Sequence, residues 1–396
     1  MEQKLIGTTT VFFTERCREK NKGILKLTHP AMLAEEETLR WLDSVHLDDV
    51  AANMDTDLRT AAENALSKGT VLLANTAWKT ADEWEKWLQK DNKKKKRVHL
   101  LALGDVGSTV LTALELMGGD CIETLGIYDV NPDVCARWET ELNQAAFPWD
   151  YDALPTVEIL TEEQLFDCDM FVFCASKGIP PVGSQVQDVR MVQYEANKGI
   201  ISVFAKKARD AKFEGLFAVV SDPVDPLCRA AFLASNEDEA GNFDGKGLRP
   251  EQVQGYGLGV MNARAAYYAK QNPEFGNFLT EGRAFGPHGQ DLVIANSIDN
   301  YDDERSKALT KLAIEANLRM RELGFKPYVA PAISSAAISL LLTLRGEWHY
   351  SSNFLNGVYM GSKNRTTLGV EIESLPLPDA LFQRIQKAYD GLEMIR

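Results

Sequence analysis

Long apolar runs are missing from this chain: no part of its 396 residues approaches the roughly 18 uninterrupted apolar positions that a membrane-spanning helix needs, so no membrane partner is expected. The first residues, with Glu2 and no signal-sized apolar block, give no secretory pattern, and the expected location is cytoplasmic. Basic residues are in deficit, 43 Lys and Arg against 57 Asp and Glu, for a net charge of -14. A surface of that sign repels a polyphosphate backbone, which excludes nucleic acid as an expected partner. Cysteine is sparse: the six (Cys17, Cys121, Cys135, Cys168, Cys174, Cys228) include no C-x-x-C pair. That argues against a zinc site or a disulfide framework, so reduced thiols and no metal are expected. What remains is the composition of a folded protein, 45% hydrophobic and 25% charged. At about 150 residues per domain the chain is long enough for two to three.

Residues 1–95 read as a small α/β extension of unknown role. They hold four of the seven tryptophans (Trp41, Trp78, Trp84, Trp87) and β-type runs at Thr8–Phe13 and Val71–Ala74. One helix start is well marked: Thr80 and Glu83 form a T-x-x-E capping box, and Trp84, Trp87 and Leu88 follow at spacings that share a helical face. That face reads as core or as an interdomain contact. The run Asp91–Arg97 (DNKKKKR) is the sharpest break in composition and reads as a solvated linker, a localisation signal being the alternative.

A buried strand follows, Val98–Leu103, then Gly104, Asp105, Val106 and Gly107, then a helical stretch over Ser108–Met117. Strand, glycine turn and helix in this order make a dinucleotide-binding unit, in which main-chain N–H groups at the helix start face a pyrophosphate. The G-x-G-x-x-G fingerprint appears as Ala102-x-Gly104-x-x-Gly107, with alanine at the turn position. A second strand, Leu125–Tyr128, ends at Asp129, 22 residues beyond Gly107. At a spacing of about 20 a carboxylate reaches the ribose 2′-hydroxyl of NAD and repels the 2′-phosphate of NADP; the alternative is a strand-end aspartate capping a turn. Strands at Asp169–Ala175, after a second capping box at Thr161 and Gln164, and at Phe217–Val220 alternate with helices. The pattern predicts an α/β fold with a Rossmann-type doubly wound parallel sheet over residues 96–254. From residue 255 a long helix rich in Ala, Arg and Tyr, mixed strands and a helix near Asp379–Leu392 predict an α+β catalytic domain over 255–396.

Several segments in the same order resemble the lactate and malate dehydrogenase superfamily across roughly residues 96–396: the glycine turn, Asp129, Ser221–Asp225, Gly286–Gly289, and Gly357–Gly361 with Val370–Pro378. The resemblance implies a homo-oligomeric, NAD-dependent oxidoreductase that moves a hydride between NAD(H) and a small 2-hydroxy or 2-oxo acid. It implies cofactor contacts from Gly104, Asp105, Val106, Gly107, Asp129, Ala175, Asn197 and Asp222. His288 matches the family's proton-shuttling histidine, a task imidazole suits because its ordinary pKa is about 6.5. The other four histidines lie in no comparable motif. Arg264 matches the arginine whose planar fork holds the substrate carboxylate. Arg190 resembles the loop arginine that closes over the substrate and polarises its carbonyl. Asp222 and Ser334 complete the implied substrate contacts, with a helix start as the alternative role for Ser334.

The chain also departs from the family. Met261 stands three residues before Arg264, where the family has an aspartate that orients the histidine; a thioether cannot do this, and Asp225 and Glu281 are the candidates to replace it. Asp222 stands in place of an asparagine and brings negative charge toward an anionic substrate. Between Ala175 and Arg190 the one cation is Lys177, where malate-type relatives carry an additional arginine. Ile179, Pro180, Pro181 and Val182 in that loop suit an apolar side chain, so a lactate-like or bulkier apolar acid is expected in preference to malate. Met261 and Asp222 prompt a rival reading, a non-catalytic NAD-binding sensor or structural protein on the same fold.

Overall fold

The computed structural model describes residues 1–90, 95–177 and 189–395, the side chains of 189–191 apart. The first 90 residues form strands β1 (Glu2–Ile6), β2 (Thr9–Thr14), β3 (Ile24–Lys26) and β4 (Val71–Asn75) with helices α1 (Ser44–Asn53), α2 (Thr56–Leu66) and α3 (Ala81–Leu88). Helix α3 starts at the capping box as read: Glu83 accepts from the Thr80 main chain at 2.7 Å and its own N–H donates to the Thr80 hydroxyl at 3.3 Å. The Trp84 side chain is fully buried, its indole N–H donating to the Asn75 carbonyl at 3.1 Å. The Arg249 guanidinium lies 5.3 Å from its ring centre, so Trp84 is at once core and a contact to the next part of the chain.

That next part is a parallel sheet of β5 (Lys96–Leu101), β6 (Ile122–Tyr128), β7 (Thr156–Ile159), β8 (Met170–Phe173), β9 (Leu216–Val219) and β10 (Val253–Gly255). Between the strands run α4 (Asp105–Met117), α5 (Pro132–Leu142), α6 (Val189–Asp210) and α7 (Val224–Ser235). The spatial order β7-β6-β5-β8-β9-β10 is that of the doubly wound fold. Side-chain alternation explains the near-continuous apolar strands: Phe171 and Phe173 of β8 pack with α6 and α7, while Met170 and Val172 pack with α4 and α5 on the other face. Strands β7 and β10 escape sequence reading because TVEI and VQG are short and half polar. Strand β5 starts at Lys96, inside the run read as a linker, whose residues 91–94 lie outside those described. It also ends two residues earlier than expected, because Ala102 turns the chain with φ of 72° and α4 begins at once, at Asp105 instead of Ser108.

The last third holds α8 (Leu258–Gln271), α9 (Phe278–Glu281), the paired β11 (Arg283–Phe285) and β12 (Val293–Ala295), α10 (Asp303–Glu322) and α11 (Ile338–Arg345), which continues a π-helical turn over Pro331–Ala337. After it come β13 (His349–Leu355), β14 (Val358–Thr366), β15 (Val370–Ile372) and α12 (Asp379–Glu393). Asn356 and Gly357, with φ of 49° and 91°, close the β13–β14 hairpin in the two-residue loop that positive φ permits. β13 lies antiparallel to β10, and β15 meets β3 through Val370 and Leu25. A single sheet of 13 strands therefore joins the N-terminal strands to the C-terminal hairpin and, through it, to the parallel half. Among the described residues no helix is long and apolar enough to cross a membrane.

Two buried polar features hold this sheet together. The Lys22 ammonium, with its side chain 2% exposed, lies 2.6 Å from Glu37 and donates to the Phe354 carbonyl of β13 at 2.5 Å. Lys22→Ala leaves the Glu37 charge buried without its partner, and urea unfolding should show a loss of about 3–5 kcal/mol. His349 sits beneath Tyr256, with Thr343 Oγ1 at 3.0 Å from Nε2 and the Glu347 carbonyl at 3.0 Å from Nδ1. Burial pushes its pKa down to about 4. The unfolded chain therefore takes up this proton first, so the histidine's contribution is complete above about pH 6.5 and is lost as pH falls toward about 4. His349→Gln should flatten the decline in stability over that window when unfolding is followed at several pH values.

Candidate active site

The C-terminal ends of β5 and β6 carry the residues expected to cradle a dinucleotide. Ala102 takes the left-handed turn that glycine would take, a conformation costing an L-residue about 1–2 kcal/mol. Gly107 packs so tightly under it that a Cβ there would stand 2.0 Å from the Ala102 carbonyl oxygen, whereas a Cβ on Gly104 would meet nothing within 4 Å. No side chain caps α4 at Gly104, which leaves first-turn N–H groups at an open helix N-terminus, the setting that binds a phosphate. Asp105 pairs with Lys326 at 2.9 Å, and Val106 packs against the core beneath. Asp129 closes the cradle at the end of β6, accepting from the Leu103 N–H at 2.8 Å and the Asn131 N–H at 3.0 Å. An open cradle with a carboxylate at its rim fits a pyrophosphate and a ribose.

Beside it, the loops after β8 and β9 are tied together. The Ser221 hydroxyl donates to the Ala175 carbonyl at 2.7 Å. Asn197, fully buried on α6, donates to the Asp222 carbonyl at 2.7 Å and accepts from the Lys177 N–H at 2.9 Å, so its amide acts on the two loops from within. Residues 178–188, with Ile179, Pro180, Pro181 and Val182, lie outside the described residues, as does the side chain of Arg190.

His288 arrives from the turn between β11 and β12. Gly286 and Gly289 flank it with φ of 88° and 119°, and the Gly286 N–H is pinned to the Gly361 carbonyl at 2.9 Å. Its Nδ1 stands 3.1 Å from Oδ1 of Asp222. This corrects the expectation about the missing aspartate: the carboxylate that meets the histidine is Asp222 itself, neither Asp225 nor Glu281. Asp225 is buried in the first turn of α7, and Glu281 accepts from Ser297 and from Asn300. Asp222 thus faces an imidazole, and its charge is that histidine's counter-ion when the ring is protonated.

Arg264 rises from α8, whose start is held against the His288 turn. A Cβ on Gly257 would come within 2.9 Å of His288 Cβ. Ser335 accepts from the Val260 N–H at 2.8 Å and donates to the Gly257 carbonyl at 2.5 Å, an N-cap supplied from another element. Ser334, its neighbour, is half-buried, and its carbonyl accepts from Ser339. Arg264 Nη1 is 3.5 Å from the Met261 sulfur and from the Ala313 carbonyl oxygen, and Nη2 donates to Asn317 Oδ1. Burial pushes the guanidinium's pKa down, while Tyr268 and Asp222 act the other way. Sequence reading missed Ser335 and Asn317; each meets its partner across 53 residues or more, and no local spacing signals that.

The comparisons bear on the resemblance and leave the preference between lactate and malate open. No family model matches the chain. The malate dehydrogenase of Sulfurimonas denitrificans is 26% identical over 281 residues, 67% of this chain and 81% of that protein. The L-lactate dehydrogenase of Treponema denticola is 30% identical over 214 residues, 54% of this chain and 61% of that protein. Among solved structures, a lactate dehydrogenase from a Medee basin deep-sea metagenome library superposes with a TM-score of 0.61 at 18% identity, covering 76% of this chain and 98% of its own. Archaeoglobus fulgidus malate dehydrogenase in complex with NADH gives 0.59 at 18% identity, covering 75% and 97%. The chain is similar in sequence to malate and lactate dehydrogenases, and its α/β fold is theirs.

The two glycines of the cradle should separate under substitution. Gly107→Ala forces a shift against main chain and should cost about 1–3 kcal/mol in unfolding experiments. Gly104→Ala should leave stability within about 0.5 kcal/mol, as an exposed change does, yet weaken NADH in a fluorescence titration by putting a methyl group in the open cradle.

Proposed function

We propose that the chain is an NAD-dependent 2-hydroxy acid dehydrogenase that acts on monocarboxylic 2-oxo acids with a neutral, apolar side chain in preference to malate's partner acid. The observation that carries the reading is the contact between His288 Nδ1 and Asp222 Oδ1 at 3.1 Å, set beside Arg264. Gly104, Gly107 and Asp129 would hold the cofactor, which supplies the hydride. His288 then delivers the proton that the developing alkoxide needs: with Nδ1 turned to Asp222, the exchanging nitrogen is Nε2, and the carboxylate stabilises the imidazolium from which the proton leaves. Arg264 anchors the substrate carboxylate through its fork. Arg190 is assigned to the substrate carbonyl from the resemblance alone.

The Asp222 charge, 46% exposed by its side chain, also bears on the substrate. A second carboxylate on the acid would meet it, and a neutral side chain would not, which supports the preference against a dicarboxylic acid. The same contact weighs against the rival non-catalytic reading that Met261 and Asp222 prompt, since the carboxylate absent at 261 is present at 222. The expectation of a homo-oligomer belongs to this proposal and rests on the resemblance.

Loss of nicotinamide absorbance should be seen with NADH and pyruvate, phenylpyruvate or a branched 2-oxo acid, and least with oxaloacetate. His288→Ala and Asp222→Asn should each lower kcat by about 10²-fold or more. Binding of NADH without reduction of any of these acids overturns the dehydrogenase reading, and a preference for oxaloacetate overturns the assignment of the side chain.

A further inference from the structure

His288 and Arg264 are furnished with opposite kinds of neighbour. The histidine has a carboxylate in Asp222. Among the described residues, the groups in contact with the half-buried arginine are neutral: the Met261 thioether, the Ala313 carbonyl and the Asn317 amide oxygen. A cation withdrawn from water ordinarily acquires a carboxylate, since burial without one is costly. Here burial lowers the tendency of Arg264 to hold its charge, and Asp222 opposes this from outside the three contacts, being already engaged with His288.

Both contacts on the far side come from α10, where Ala313 and Asn317 are four residues apart and so share the face that packs on α8. The Ala313 carbonyl oxygen, 3.5 Å from Nη1, and the Asn317 amide oxygen at Nη2 hold the guanidinium from this side, and unlike a carboxylate they add no negative charge there.

We propose that Asn317 is a positioning residue for substrate binding: with Met261 and the Ala313 carbonyl it forms a neutral cradle that aims the fork of Arg264 without neutralising it, so that the carboxylate of the 2-oxo acid completes the buried ion pair. The proposal rests on the dehydrogenase reading and adds the determinant of carboxylate affinity. It accounts for Met261 in physical terms. With the histidine's counter-ion placed on the β9 loop, the residue one turn before Arg264 carries no charge, and the arginine has no carboxylate of its own helix to compete with the substrate.

Asn317→Asp tests this, because aspartate has almost the same shape and accepts the same hydrogen bond. An electrostatic role and a merely structural one then differ in sign. The new carboxylate should pair with Arg264 and raise Tm, while KM for the best 2-oxo acid rises about tenfold or more with kcat within about twofold, the pattern of lost ground-state binding. Oxamate, which carries the carboxylate and carbonyl of a 2-oxo acid but is not reduced, should lose affinity for the NADH-loaded protein by a similar factor. Asn317→Ala should raise KM several-fold with no gain in Tm. An Asn317→Asp protein that keeps the wild-type KM and oxamate affinity overturns the proposal. A wild-type protein that binds NADH but neither reduces a 2-oxo acid nor binds oxamate overturns the dehydrogenase reading instead, and the proposal falls with it.

Discussion

Imidazole and carboxylate meet in this protein only because two turns 66 residues apart are fastened to strands of one sheet. The Asp222 turn follows β9 and is held by Asn197 from α6; the His288 turn is fastened to β14 through Gly286 and Gly361. Between them β10 and β13 pair, so the parallel half and the C-terminal hairpin cannot move apart without breaking main-chain hydrogen bonds. A hydrogen bond between side chains tolerates little displacement, and a site built on strand ends is placed more accurately than one built on loops alone.

The N-terminal residues share in this frame. Strand β3 continues the sheet beyond β15, Lys22 reaches the main chain of β13, and the Gly23 N–H donates to Glu251 at 2.8 Å. Glu251 is also bound by Arg249, which lies over Trp84. The extension is thus attached on the side of the sheet that leads to β10 by buried charges that are individually costly to expose. Such groups add little net stability when paired, but they fix one arrangement, because every alternative leaves one of them unsatisfied.

The site itself shows a redistribution of charge. A carboxylate stands at position 222 and a thioether at position 261, and the two substitutions read singly look like losses. Placed in the fold they are complementary: the charge that serves the histidine comes from the β9 loop, and the arginine keeps a neutral environment on α8 and α10. The change at the glycine turn is of the same kind. Ala102 accepts the strained φ, while Gly107, where a side chain has no room, is kept.

Much of this was legible in the sequence. Apolar runs with both faces buried identified β5, β8 and β9, the glycine turn located the cofactor end of the sheet, and the Thr80 and Thr161 boxes marked turns that the structure contains, because each of these signals is local. The motif order indicated the family. What the sequence could not determine was which acidic residue meets His288: it offered Asp225 and Glu281, and the β9 loop, placed against the β11–β12 turn, brings Asp222 there. Nor could it reveal Asn317 and Ser335, or the joining of the N-terminal strands to β15. Those depend on contacts between segments far apart in the chain, where spacing carries no information and only the packing of the sheet and helices decides which side chains meet.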